Sequence, residues 1–359
     1  MNANQKLHDL GQSLWLDFVT RDLLEQGTLE KYIHDLSVTG MTSNPTIFDN
    51  AIRKSALYDG SIRKHRAAGK KGEDLLFELI VEDLTRAADL FRPVHDRTAG
   101  LDGWVSLEVS PALAFDTQGT IAAAKSLWAK AGRPNLYIKI PGTREGLAAI
   151  EESIFAGVPI NVTLLFSRAQ YLAAADAWAR GIERRIAAGL PANVASVGSL
   201  FISRWDVAVA DKVPDALKNT LGLAVTRDTY AGALERIRSP RWQRLANFGA
   251  RPQRPLWAST GTKDPKASDL LYVEALAAPF TVNTLPEPTL LALADHGKIG
   301  GALMDERGGD STAVLAKFTA AGVDLDALAE KLQKDGAAAF VKSWNELLAA
   351  VETKATNLK

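Results

Sequence analysis

The sequence predicts an α/β chain folded as a single-domain (β/α)8 (TIM) barrel. Three observations carry that reading. Short apolar or alternating runs rich in β-branched and aromatic residues occur eight times, bounded by Gly, Pro or Asn. Amphipathic segments with helical spacing separate them, so the strands are read as parallel and joined by crossover helices. Neither GxGxxG nor GxxxxGK[ST] occurs, which leaves the competing open doubly wound sheet without a nucleotide-binding signature.

The strands are expected, in order, at Leu14–Val19, Val38–Thr42, Gly103–Ser110, Asn135–Pro141, Val158–Phe166, Val194–Ser203, Pro255–Thr260 and Phe280–Leu285. The clearest helical segments between them are Glu73–Phe91, Thr117–Ala131, Ser167–Ala188 and Lys266–Ala278. Two stretches exceed what a minimal barrel needs. Arg204–Arg254 separates strands six and seven, and 287–359 follows strand eight; both read mainly as helices. Within the second, Leu325–Val351 is long and Ala/Leu-rich, and is expected to pack across one end of the barrel. No internal repeat or linker composition appears, so 1–359 is read as one domain with 287–359 as C-terminal helices on the barrel.

At 359 residues, 47% apolar and 23% charged, the chain has ample material for a large core. Lys+Arg and Asp+Glu both number 42, and this balance favours neither nucleic acid nor an anionic membrane as partner. There are no cysteines, which excludes disulfides, thiolate metal sites and a cysteine nucleophile, and is compatible with a reducing cytoplasm. The start, MNANQKLHDLGQSLWLDF, shows no secretory pattern, and no run of about 18 apolar residues predicts a membrane span. The sequon at Asn161 lies in a strand-like run and is not expected to carry a glycan.

The informative residues are polar ones inside apolar strands. Asp17, Glu108 and Lys139 each sit mid-run among large apolar neighbours. Barrel side chains alternate between the lumen and the helix layer. If Ile138 and Ile140 face the helices, Lys139 faces the lumen, and the same parity turns Asp17 and Glu108 inward. A deprotonated amine attacks carbonyls, and lysine can supply one where arginine cannot. For any one of these residues a buried ion pair without chemistry is an equal explanation. Three ionisable groups on three strands favour function, because such networks seldom pay for themselves in stability.

A second, uncharged set comprises Asn44 after strand two, Asn161 and Thr163 in strand five, and Ser199 in strand six. Asn44-Pro45 is also an ordinary helix-start signal. Asn161 and Thr163 share one strand face, opposite Ile160, Val162 and Leu164, and need polar partners such as a hydroxyl-rich substrate or water. A third set is basic. Arg204 ends strand six and Lys263 follows strand seven, where barrel loops often hold phosphate, although an isolated Arg is more commonly a surface ion pair. The five histidines are scattered, no GxSxG elbow occurs, and the eight tryptophans read as packing.

From about Leu14 to Pro286 the chain resembles the transaldolases. Six ordered motifs carry the resemblance: Leu-Asp-Phe-Val around Asp17, Thr-Ser-Asn-Pro-Thr at 42–46, Val-Ser-Leu-Glu-Val at 105–109, Tyr-Ile-Lys-Ile-Pro-Gly-Thr at 137–143, Asn-Val-Thr-Leu-Leu-Phe-Ser at 161–167, and Ser-Leu-Phe-Ile-Ser-Arg at 199–204. The length matches the larger transaldolases more than the compact fructose 6-phosphate aldolases. The resemblance implies that Lys139 is the Schiff-base lysine and that Glu108 works through a water held by Thr163. It implies that Asp17 takes the proton of the donor's C4 hydroxyl. Asn44 and Asn161 would bind the dihydroxyacetone moiety, with Thr42 and Ser199 nearby, Phe201 beside the reacting centre and Arg204 on phosphate. One position departs from the pattern: a second phosphate arginine is absent after Ser259, and Lys263 is taken as its substitute.

The implied activity moves a dihydroxyacetone unit from fructose 6-phosphate or sedoheptulose 7-phosphate to erythrose 4-phosphate or glyceraldehyde 3-phosphate, in the pentose phosphate pathway. No metal or organic cofactor is expected. The expected setting is cytoplasmic, as a monomer or homodimer. Two other readings stay open: a fructose 6-phosphate aldolase-type enzyme that releases free dihydroxyacetone, and a sugar-phosphate-binding protein without chemistry. A metal-dependent isomerase is disfavoured because the sequence shows no ligand cluster.

Overall fold

The structure, a computed structural model, describes residues 2–300 and 303–358. Eight parallel strands close into a barrel in sequence order: β1 (Gln12–Asp17), β2 (Val38–Thr42), β3 (Trp104–Glu108), β4 (Leu136–Pro141), β5 (Ile160–Leu165), β6 (Ser196–Phe201), β7 (Arg254–Ala258) and β8 (Thr281–Leu285). Strand alternation does the sorting. Leu14, Leu16, Val105, Leu107, Ile138, Ile140, Ile160 and Val162 face the helices and are fully buried there.

The opposite parity fills the lumen. Trp15, Trp104, Tyr137, Val197, Leu256 and Val282 form one buried cluster low in the barrel. The rings of Trp104 and Tyr137 stack at 4.2 Å. Trp15 Nε1 donates to Asp102 Oδ1 at 2.8 Å. Gly40 permits this packing, since a Cβ there would lie 2.5 Å from Trp15 Nε1. Arg254, also buried, donates to Ser13 Oγ and to the Thr281 carbonyl at 2.6 and 2.7 Å. The N-terminal half is therefore plugged by aromatic rings, and space for a ligand remains only toward the C-terminal ends of the strands.

Most strand ends shift by one or two residues from the sequence reading, and three differences have a local cause. The first strand begins at Gln12 rather than Leu14, because Gln12 and Ser13 pair with Thr281 and Val282 of β8, and it ends at Asp17; the Gln12 side-chain amide also donates to the Leu276 carbonyl and Thr281 Oγ1. The helix expected over Lys266–Ala278 shrinks to Leu271–Ala275. Asp264 and Ser268 take the backbone N–H groups of Lys266 and Leu270, so side chains replace the helical bonds of the segment's start. Leu164 does not share the outward face of Ile160 and Val162. It has φ +58°, the pairing of β5 with β6 shifts there, and its side chain joins Phe166 and Trp205 in the lumen-side cluster.

The helix over 73–91 runs longer, Gly72–Arg97, with Pro93 inside it. The segment between β6 and β7 holds helices Ser203–Val209, Leu221–Ile237 and Pro240–Asn247. After β8 come Glu287–His296, Ser311–Ala320 and the 33-residue Leu325–Asn357. That last helix packs against Pro45–Lys54 and crosses the barrel mouth, where Gln333 Nε2 donates to the carbonyls of Gly142 and Leu164 at 3.0 and 2.9 Å. Among the described residues no helix is long and apolar enough to cross a membrane.

Candidate active site

A cavity of about 500 Å³ opens at the C-terminal ends of the strands. Asp17, Thr42, Asn44, Lys139, Thr163, Ser199, Phe201, Arg204 and Lys263 all line it, although they come from six strands and the loops after them. Glu108 and Asn161 stand behind its wall. Strand parity turns Asp17, Glu108 and Lys139 inward, and the register of the barrel sets their neighbours. Glu108 pairs with Lys139 across β3 and β4, Lys139 with Asn161 across β4 and β5, and Asp17 with Thr42 across β1 and β2.

Lys139 is buried at the floor of the cavity. Its Nζ donates to Glu108 Oε2 at 3.2 Å and to the Ser43 carbonyl at 3.1 Å. The Phe340 ring lies over it, with its centroid 5.6 Å from Nζ. Burial pushes the Glu108 carboxyl above its ordinary range; Lys139 opposes the shift and Asp17 adds to it. Burial likewise raises Asp17, against the pull of Lys139, a hydrogen bond from Thr42 Oγ1 at 2.9 Å, and Lys263. Thr42 Oγ1 also pairs with Thr284 Oγ1 at 2.6 Å, which fixes the hydroxyl beside Asp17. Glu108 Oε1 and Thr163 Oγ1 are both buried and have no hydrogen-bond partner among the described residues.

The amides divide by role. Asn44 caps the helix Pro45–Lys54, accepting from the Ile47 N–H at 3.2 Å, and also lines the cavity, so its turn signal and its site position coexist. Asn161 is fully buried. It donates to Ser106 Oγ at 3.0 Å and accepts from Ser199 Oγ at 2.7 Å. Both the Asn161 amide and the Ser199 hydroxyl are thereby oriented, and Ser199 reaches the cavity wall.

Two cations stand near the rim. The Arg204 guanidinium lies 5.1 Å from the Phe201 ring centroid and 5.9 Å from that of Phe340. Burial lowers its pKa from the ordinary value, opposed by Asp335. Lys263 is exposed on the loop after β7. Among the described residues neither Arg204 nor Lys263 forms an ion pair, unlike most arginines on the outer helices. Ser259, with φ +58°, bonds its hydroxyl to Ser203 Oγ at 2.9 Å and joins the two loops that carry these cations.

Sequence reasoning did not single out Thr284, Asn50 or Phe340, which also line the cavity. Thr284 carries the signal used elsewhere, a polar residue of lumen parity in an apolar strand. Phe340 carries none, because an aromatic on a long apolar helix reads as packing. Among the described residues no group of three or more His, Cys, Asp or Glu could hold a metal ion.

The family model described as "Transaldolase/Fructose-6-phosphate aldolase" matches residues 14–351. The chain is 45% identical over 353 residues to "Transaldolase" of Acidothermus cellulolyticus, covering 96% of this chain and 95% of that one. It is 43% identical to "Transaldolase" of Saccharopolyspora erythraea, covering 100% and 99%, and 44% identical to that of Thiobacillus denitrificans, covering 98% and 100%.

Proposed function

The chain belongs to the transaldolase/fructose-6-phosphate aldolase family, and we propose that Lys139 is the Schiff-base residue of its transaldolase reaction. It is an enzyme of the transferase class with transaldolase activity. The observation that carries the assignment is Lys139 itself: a buried amine at the base of a cavity, touching one carboxylate and flanked by a second.

The reaction then runs as a ping-pong transfer. The Lys139 amine attacks C2 of fructose 6-phosphate or sedoheptulose 7-phosphate. Glu108, whose raised pKa suits it to carry a proton, protonates the C2 hydroxyl, which leaves as water and gives an iminium. The unpartnered Glu108 Oε1 and Thr163 Oγ1 support a water relay between them. Asp17 accepts the C4 hydroxyl proton, the C3–C4 bond breaks, and its electron pair passes to the iminium. The aldose phosphate leaves while a three-carbon enamine stays on Lys139. Erythrose 4-phosphate or glyceraldehyde 3-phosphate enters, and the steps reverse, which is the exchange of the pentose phosphate pathway.

Asn44, Asn161 and Ser199 are assigned to the hydroxyls of the three-carbon unit, with Thr42 holding Asp17 in place. Arg204 and Lys263, which form no ion pair among the described residues, are assigned to the phosphate. Phe201, packed at 5.4 Å on Phe166, forms the wall beside the reacting carbons. All these groups come from one chain, so we take 1–359 as one barrel domain whose site is assembled within a single protomer, in a monomer or a homodimer. Phosphorylated sugars do not cross membranes unaided, which supports the cytoplasm as its setting.

Turnover of Lys139→Ala tests the assignment. A folded variant is expected to lose all measurable transfer from fructose 6-phosphate to erythrose 4-phosphate, and wild-type turnover would overturn it. Arg204→Ala tests the phosphate role: KM is expected to rise more for phosphorylated sugars than for unphosphorylated ones, and an equal rise would remove Arg204 from that role.

A further inference from the structure

A transferase that holds an enamine faces a competing reaction. If C3 of the enamine takes a proton, the iminium returns. Water can then add to C2, the C2–N bond breaks, and dihydroxyacetone leaves with the amine restored. Nothing in the residues assigned so far closes the cavity above Lys139 against bulk water.

The C-terminal helix does. Gln333, Gly336 and Phe340 lie three and four residues apart, on one helix face. Gln333 ties that face to the carbonyls of Gly142 and Leu164, just past Lys139 and Thr163 on their strands. Gly336 lets the helix sit low, since a Cβ there would lie 2.9 Å from Leu164 Cδ2 and 3.0 Å from Arg204 Nη1. Phe340 then projects into the cavity. Its ring lies 5.6 Å from Lys139 Nζ, 5.9 Å from the Arg204 guanidinium carbon and 6.4 Å from the Phe201 ring.

From this we infer that Phe340 is a specificity-determining residue, a roof over the Schiff base that keeps bulk water from protonating C3 of the enamine, leaves the relay water of Glu108 and Thr163 in place beneath it, and so favours transfer over release of dihydroxyacetone. The inference rests on the transaldolase reading above. A phenyl ring fits the task on two counts. It offers water no hydrogen bond, and its face attracts a cation, here the iminium that replaces the Lys139 amine. The ring lies close to both the Lys139 amine and the Arg204 guanidinium carbon, at 5.6 and 5.9 Å. Besides its apolar contacts, which include the Phe201 ring, this Phe faces both the Lys139 amine and the Arg204 guanidinium and is itself part of the cavity wall.

The test compares wild type, Phe340→Ala and Phe340→Leu. Two rates are measured for each with fructose 6-phosphate: free dihydroxyacetone released without acceptor, and transfer to erythrose 4-phosphate. Borohydride trapping of the adduct is run beside them. Phe340→Ala is expected to form the adduct and to raise the ratio of release to transfer about tenfold, the effect of removing a discrimination of about 1.4 kcal/mol. Phe340→Leu, which keeps bulk but not the aromatic face, should fall between, and it carries the test alone if the alanine variant does not fold. An unchanged ratio in a variant that still forms the adduct overturns the roof and leaves the Schiff base standing. Absence of the adduct in wild type would instead remove the transaldolase mechanism on which the roof depends.

Discussion

Lys139 owes its position to the two-residue period of a strand. Ile138 and Ile140 are each fully buried on the helix side, so the residue between them must enter the lumen. The same rule located Asp17, Glu108, Asn161 and Thr163 from sequence, because each interrupts an apolar alternation. It failed at Leu164, where a left-handed residue adds a bulge that composition does not announce. It could not reach Phe340, which lies about two hundred residues away on a helix whose apolar face looks like ordinary core. The buried carboxyls carry a further consequence. Burial raises Asp17, so the folded protein keeps its proton at pH values where the unfolded chain has released it. Stability attributable to Asp17 therefore falls as pH rises from about 4, and no penalty remains below that, where both states are protonated. Asp17→Asn should raise Tm by a few degrees at neutral pH, with the gain shrinking to nothing toward pH 4, while turnover is lost. A Tm difference constant across pH would contradict this.

At the scale of elements, the loops after β6 and β7 need bracing because they carry Arg204 and Lys263. Asp206, on the short helix that bears Arg204, supplies much of it. Its carboxylate accepts the N–H groups of Leu221 and Gly222 at 2.9 and 3.2 Å, capping the helix Leu221–Ile237, and the Tyr272 hydroxyl at 2.7 Å. Asn219 adds a bond to Asp264 at 2.8 Å, next to Lys263. Asp206→Ala would leave buried donors unpaired and is expected to cost about 2–4 kcal/mol in urea unfolding. A loss under about 0.5 kcal/mol, typical of an uninvolved surface site, would refute the brace. These contacts were not legible in sequence. Asp206 and Tyr272 are 66 positions apart, and the polar turns of 264–270 masked a five-residue helix as a longer one. The long helix at 325 was legible through its Ala/Leu spacing, but its landing place on the mouth depends on Gly336 and Gln333, whose meaning appears only against Leu164 and Gly142.

Across the whole molecule, stability and chemistry occupy opposite ends of the barrel. The lower lumen is filled by Trp15, Trp104 and Tyr137, and the upper lumen by ionisable and amide groups. Trp15→Ala is expected to destabilise the protein by about 3–5 kcal/mol, as large aromatic deletions in cores do. Below the lowered Tm it should leave kcat within severalfold of wild type. A loss of turnover as complete as that of Lys139→Ala, in a folded protein, would mean that floor and mouth are not separable. The most direct test of the account is to mix wild type and Lys139→Ala with fructose 6-phosphate and borohydride, then map the adduct by peptide mass. The account predicts a reduced three-carbon adduct on the peptide containing Lys139 in wild type and none on the variant. An adduct on another lysine, or none on a wild-type protein that turns over the sugar, would contradict it.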